Sequence, residues 1–195
     1  VTFSHLVTSR CLTVGRLQLF LSQLRRIHDS AGDSQSLIAP EKLDVGVNYL
    51  PKIQKRFAAH EQLYLSLAPN AGEMFKRICV ELEGYIRERR FRLANVIHGD
   101  PVFSNVLLSG DNSIHLLDMR GEIGETLTLQ GDMLYDLSKV YQSLLGYDFI
   151  LLGKVMHERD AELLEELRDA FSKHVAEHYP SVAMSDVVRI AAQHY

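Results

Sequence analysis

Apolar residues recur at spacings of three and four along almost the whole of this chain, and the pattern breaks once, between Asn95 and Leu117. Sustained periodicity of that kind builds amphipathic helices and leaves room for only a little sheet. The first such segment covers 12–28, with Val14, Leu17, Leu21 and Leu24 on one stripe. The polar stretch 29–36 reads as a loop and 40–46 as a connector. A second helix is expected over 49–67, since Pro51 is tolerated in a first turn. Leu50, Ile53, Phe57, Leu63 and Leu67 face inward in that reading. Pro69-Asn-Ala-Gly72 ends it, and a third helix over 73–89 carries Phe75, Ile78, Leu82 and Ile86 on its inner stripe. Further on, 132–145 aligns Leu134, Leu137, Tyr141 and Leu144. The segment 158–178 aligns Leu164, Leu167, Phe171 and Val175.

Where the pattern breaks, short apolar runs at 95–97, 105–109 and 113–117 read as strands. The last two form a hairpin across Gly110-Asp-Asn-Ser113, which has turn chemistry. The segment 121–131 holds three glycines and reads as a polar loop. The expected class is α+β, mostly helical, with a small β-hairpin insert, and residues 1–195 form one lobe.

Composition narrows what such a lobe can do. Hydrophobic residues make up 46% and charged residues 24%, which excludes disorder and collagen-like repeats. Lys plus Arg number 21 against 25 Asp plus Glu, a net charge of -4. That balance argues against non-specific nucleic-acid binding as the main role. The basic run Arg87-Glu-Arg-Arg-Phe-Arg92 reads as a solvated helix end complementing the helix dipole. Cys11 and Cys79 have no zinc spacing and read as reduced thiols of a cytoplasmic protein. The longest apolar runs, such as 149–152, are far too short to span a bilayer, and no signal peptide is visible. The chain begins with Val1 and closes on 186–195, a helix with no Gly, Pro or cap to stop it. Both ends are those expected of an excerpt or a truncated product.

The chemistry concentrates in the β insert. In Val96-Ile-His-Gly-Asp-Pro-Val-Phe-Ser-Asn-Val-Leu-Leu108 a short apolar run leads into a loop with a carboxylate at Asp100 and an amide at Asn105. In Ile114-His-Leu-Leu-Asp-Met-Arg-Gly121 the returning strand delivers a second carboxylate, Asp118. Two carboxylates and an amide gathered by a hairpin suit Mg²⁺, which takes hard oxygen ligands and keeps waters or phosphate oxygens besides. Asp100 is placed to accept a proton from a substrate hydroxyl.

The two-part pattern His98-Gly-Asp-x-x-x-x-Asn105 followed by Asp118 resembles the aminoglycoside phosphotransferase and choline kinase family, small-molecule kinases with a protein-kinase-like fold. Gly99 stands where protein kinases carry Arg, and Met119-Arg120 replaces their Phe-Gly pair. Leu24-x-x-Ile-His28 and Gly131-Asp-Met-Leu-Tyr-Asp-Leu-Ser138 resemble flanking stretches of the same family. The resemblance implies Asp100 as catalytic base, Asn105 and Asp118 as ligands of Mg²⁺ on ATP, and His98 as a brace of the loop. It implies that Asp136 anchors that loop or caps a helix, and that Arg120 steers phosphate or substrate or pairs with Glu122 or Glu125. The substrate class is a hydroxyl-bearing small molecule: a sugar, an amino alcohol or an aminoglycoside.

The resemblance starts near Leu12 and covers only the large C-terminal lobe. No G-x-G-x-x-G loop occurs, nor any strand of the Val-Ala-Ile-Lys type. The small, nucleotide-covering lobe is expected upstream in cis or from another polypeptide. The alternative is a non-catalytic, kinase-like binding or scaffolding domain. Tyr135, Tyr141 and Tyr147 with Asp132 and Asp148 suggest a pocket for a cationic acceptor, although tyrosines at helical spacing also serve as core. His174 and His178, one turn apart, read as a solvent-exposed pair, and His115 as an outward strand residue.

Overall fold

The computed structural model describes residues 1–194. It is mostly helical, with three two-stranded antiparallel sheets. The helices are α1 (Phe3–Thr8), α2 (Val14–His28), α3 (Leu50–Leu67), α4 (Ala71–Arg87), α5 (Met133–Leu144), α6 (Tyr147–Leu151), α7 (Glu158–His178) and α8 (Met184–Ala192). The strands are β1 (Leu93–Ala94), β2 (Val106–Leu108), β3 (Ile114–Leu116), β4 (Glu122–Ile123), β5 (Thr126–Leu127) and β6 (Gly131–Asp132). No helix among the described residues is long and apolar enough to cross a membrane.

Helix α5 is the axis of the molecule. Leu134, Leu137, Val140 and Leu144 are buried, and so are polar residues between them, because α8, α7 and α6 pack on this helix and the loop 98–103 is hydrogen-bonded along it. A helix enclosed in this way carries buried polar groups only where they have partners. Its start is fixed by Asp132, whose carboxylate accepts the Leu134 N–H at 3.0 Å. Helix α2 packs on α7, joining Leu17, Leu21 and Leu24 to Leu167, Phe171 and Val175 in one core. Helix α2 starts at Val14 because Thr13 caps it, its hydroxyl accepting the Arg16 N–H at 3.3 Å.

Helix α1, which has too few turns to show a period, contributes Phe3 to an edge-to-face cluster. Its ring lies 5.5 Å from Phe20 and 5.7 Å from Phe103. That cluster seats the short 3₁₀ turn Phe103–Asn105 on the helical core. The hairpin then runs with Val106 opposite Leu116, Leu107 opposite His115 and Leu108 opposite Ile114. His115 points outward.

Several expectations change. The strand expected at 95–97 lies earlier: β1 pairs Leu93 with Asp132 and Ala94 with Gly131. Ile97 donates its N–H to the Leu129 carbonyl at 2.8 Å and then turns inward. The loop 121–131 contains a second hairpin, β4 with β5. Leu63 and Leu67 are 56% and 75% exposed, because α3 kinks at His60 (φ -134, ψ 20) and the stripe loses phase there. Phe57 instead stacks on Phe75 with ring centroids 4.0 Å apart. His174 is buried, 7% exposed, against Tyr179, while His178 is exposed. The basic run is only partly solvated. Arg90 pairs with Asp186 of α8, and Arg92 donates to the carbonyls of Ser181, Arg90 and Phe91. Both cysteines are free thiols, Cys11 exposed and Cys79 half-buried.

Candidate functional site

The loop between β1 and β2 is held by one face of α5. Asp136 is fully buried, and its carboxylate accepts the backbone N–H groups of His98 and Gly99, each at 2.7 Å. The same carboxylate lies 3.0 Å from His28 Nε2, and His28 Nδ1 lies 2.9 Å from the Tyr179 hydroxyl. One turn along, Lys139 Nζ lies 3.1 Å from Asp100 Oδ1. Another turn along, Ser143 Oγ accepts the Phe103 N–H at 3.0 Å. Residues 136, 139 and 143 share a helical face, so a rigid element grips the loop before, at and after Asp100.

Two backbone features shape the loop. Gly99 has φ 87, and a Cβ there would fall 2.7 Å from the Cβ of Arg120. Only glycine tolerates both the left-handed conformation and that approach. Asp118 also has a positive φ, 56. Of the other non-glycine residues with positive φ, Arg10 and Arg89 follow helix ends and Asn112 sits in the hairpin turn. Asp118 follows a strand, where strain of this kind re-aims a side chain.

His98 is fully buried. Burial lowers its pKa, against the opposing pull of the Asp136 and Asp100 carboxylates, so the ring stays neutral. Its Nδ1 accepts the Asp100 N–H at 3.2 Å, bracing the loop from inside. Asn105 Nδ2 donates to the Asp100 carbonyl at 3.0 Å, and the Asn105 carbonyl accepts the Leu117 N–H at 2.9 Å. These two bonds tie the returning strand to the loop and bring Asp118 beside Asp100. Arg120 faces Asp100 at 3.8 Å and donates to the Tyr135 hydroxyl at 3.4 Å. It makes no ion pair with Glu122 or Glu125 among the described residues.

Asp100, Asn105 and Asp118 converge on one cleft of about 460 Å³, together with Arg56, Lys139 and Tyr147. Among the described residues the Asn105 Oδ1 and the exposed Asp118 carboxylate take no hydrogen bond. Both are hard oxygen donors, which suits Mg²⁺ carried on phosphate: such an ion needs only one or two protein ligands, with phosphates and waters completing its shell. No cluster of three or more His, Cys, Asp or Glu side chains able to hold a metal by themselves occurs among the described residues.

The pocket imagined for a cationic acceptor does not assemble. Tyr147 lines the cleft, but Asp132 and Asp148 are buried elsewhere. Asp132 accepts from the Tyr49 hydroxyl at 2.6 Å, from Tyr85, and from the N–H groups of Arg92 and Leu134. Asp148 accepts from Ser4. The residues that sequence reading missed are cations. Lys52 donates to the Tyr135 hydroxyl at 2.7 Å. Its pKa is lowered to about 7 by burial and by the charges of Arg120, Lys139 and Arg56. Lys139 is lowered by burial, an effect that Asp100 opposes. The spacing of Lys139 and Ser143 from Asp136 was the one available signal. Lys52 and Arg56 had none, since a lysine and an arginine on a helix read as solvated. No protein-family model matches the chain, and no curated protein or solved structure matches it significantly.

Proposed function

We propose that the chain is the large helical lobe of an ATP-dependent phosphotransferase of the aminoglycoside phosphotransferase and choline kinase type, with a protein-kinase-like fold. It transfers a γ-phosphoryl group to a hydroxyl of a small molecule. The observation that carries this reading is the convergence of Asp100, Asn105 and Asp118 on one cleft, with the loop that bears Asp100 gripped by α5.

In this reading the acceptor hydroxyl oxygen forms a bond to the γ-phosphorus. The bond from that phosphorus to the β,γ-bridging oxygen breaks, ADP leaves, and the hydroxyl proton passes to Asp100. Such transfer depends mainly on positioning and on stabilising charge. Asn105 and Asp118 would hold Mg²⁺, whose charge would neutralise the phosphates. Lys139 and Arg120 flank Asp100 and fix its carboxylate for the incoming hydroxyl. The Gly-rich loop that covers phosphates in kinases is absent from the sequence, and the proposal assigns that part to a segment outside these residues or to a second chain. Asp100→Asn is expected to leave Mg-ATP affinity within about twofold while lowering phosphoryl transfer ~10²–10⁴-fold. Transfer within tenfold of the unsubstituted protein contradicts the assignment of the base.

A second reading, a non-catalytic kinase-like binding module, is favoured by the Lys139–Asp100 ion pair, which engages the carboxylate that has to take the proton. The two readings part on turnover, which only the first requires.

A further inference from the structure

The chain has a net charge of -4, yet four cations gather at one place: Arg56 and Lys139 line the cleft, and Arg120 and Lys52 adjoin it through Asp100 and Tyr135. Lys139 and Arg120 approach Asp100 at 3.1 Å and 3.8 Å. Arg120 and Lys52 share the hydroxyl of Tyr135, at 3.4 Å and 2.7 Å. Arg56, one turn beyond Lys52 on α3, lines the same cleft and has no ion pair or hydrogen bond among the described residues. Against these four stand two carboxylates, Asp100 and Asp118. The first is taken by two of the cations, and the second is one of the two free oxygen ligands. The Tyr135 hydroxyl is a neutral dipole and offsets no charge. Half-buried cations held this close repel one another unless an anion joins them. Burial first, and then the charges of Arg120, Lys139 and Arg56, lower the pKa of Lys52 to about 7.

Resting on the phosphotransferase reading, we propose that the acceptor is an anion: a hydroxyl compound that carries a phosphate or carboxylate, seated on Lys52 and Arg56 with its hydroxyl at Asp100. Lys52 of α3 bonds the Tyr135 hydroxyl of α5, whereas Asn105 and Asp118 flank the β2–β3 hairpin. Arg120 and Lys139 link the two regions through Asp100. A cationic acceptor finds no carboxylate to spare: Asp100 is paired with Lys139 and Arg120, this reading gives Asp118 to Mg²⁺, and Asp132 and Asp148 are buried and already hydrogen-bonded. Specificity follows from the same contrast: a neutral sugar leaves the cations unpaired, and a quaternary ammonium compound adds to the repulsion.

The test is calorimetry on the intact chain with matched pairs: glucose against glucose 6-phosphate, and glycerol against glycerol 3-phosphate, with choline alongside. In EDTA and without nucleotide, the phosphorylated member of each pair is expected to bind at least tenfold more tightly. Arg56→Gln and Lys52→Gln should each weaken that binding at least tenfold, and saturating Mg-ADP should leave it in place. Equal affinity within the pairs, tighter binding of choline, or displacement by Mg-ADP overturns the proposal; the last outcome would return the cations to the nucleotide phosphates. Failure of the kinase reading shows separately, as ATP binding that does not depend on Mg²⁺ and Asp118 while the anion preference persists.

Discussion

Asp136 serves three donors with one buried carboxylate: two loop N–H groups and His28. Removing it strands those donors away from water, and each unsatisfied group costs about 1–3 kcal/mol. Asp136→Ala is therefore expected to lower the unfolding free energy by ~3–5 kcal/mol in urea denaturation. A loss below about 1 kcal/mol would show that the loop is held by other means. Gly99 makes a smaller claim at the same scale. The contact with the Arg120 Cβ means that Gly99→Ala must push Arg120 away from Asp100. Asp100, Asn105 and Asp118 stood out in the sequence as two carboxylates and an amide gathered by a hairpin, whereas Asp136 was picked out only by the resemblance of 131–138 to a family stretch. Sequence reading could not reach His28 as a partner of Asp136, since 108 residues separate the two.

Among the elements, the long helices were the easiest to read. Helix α7 occupies the expected 158–178, and α5 lies within the expected 132–145, because both bury a continuous stripe. Helices α1 and α6, with six and five residues, are too short to show a period. The β4–β5 hairpin was hidden because two-residue strands carry no alternation. Helix α3 shows how tertiary context reassigns a polar face. Lys52 and Arg56 are like charges one turn apart, which destabilises a helix by itself. They face Arg120 and Lys139 from the loop and α5, with Asp100 as the attractive partner. Lys52 titrates near 7 when folded and near 10.5 when unfolded. Below pH 7 the folded protein bears the whole cost of that charge, and stability from this group rises as pH climbs from 7 towards 10.5. Lys52→Met is expected to raise Tm by ~2–4 °C at pH 6 at this chain length, and to gain less at pH 9. An equal gain at both values would contradict the lowered pKa that burial and the neighbouring cations give Lys52.

The whole molecule carries a second pH dependence of the same sign in a more acidic window. His98, His174 and His194 are buried, and burial lowers the pKa of each, His174 to about 4. Each imidazole stays neutral in the fold and binds a proton once unfolded near pH 6.5, so stability is lost as pH falls below 6.5. His174→Phe keeps the contact with Tyr179 and removes the titrating group. It is expected to flatten the slope of unfolding free energy against pH between 6.5 and 5 by up to about one proton. An unchanged slope would show that His174 is solvated.

The central claim concerns the cleft: that Asn105 and Asp118 receive a nucleotide through Mg²⁺. Titration of ATP into the chain by calorimetry, with Mg²⁺, with EDTA, and with Asp118→Ala, tests that claim most directly. The account predicts binding that requires Mg²⁺ and is lost in Asp118→Ala. Absence of binding, or binding indifferent to both EDTA and the substitution, would contradict it.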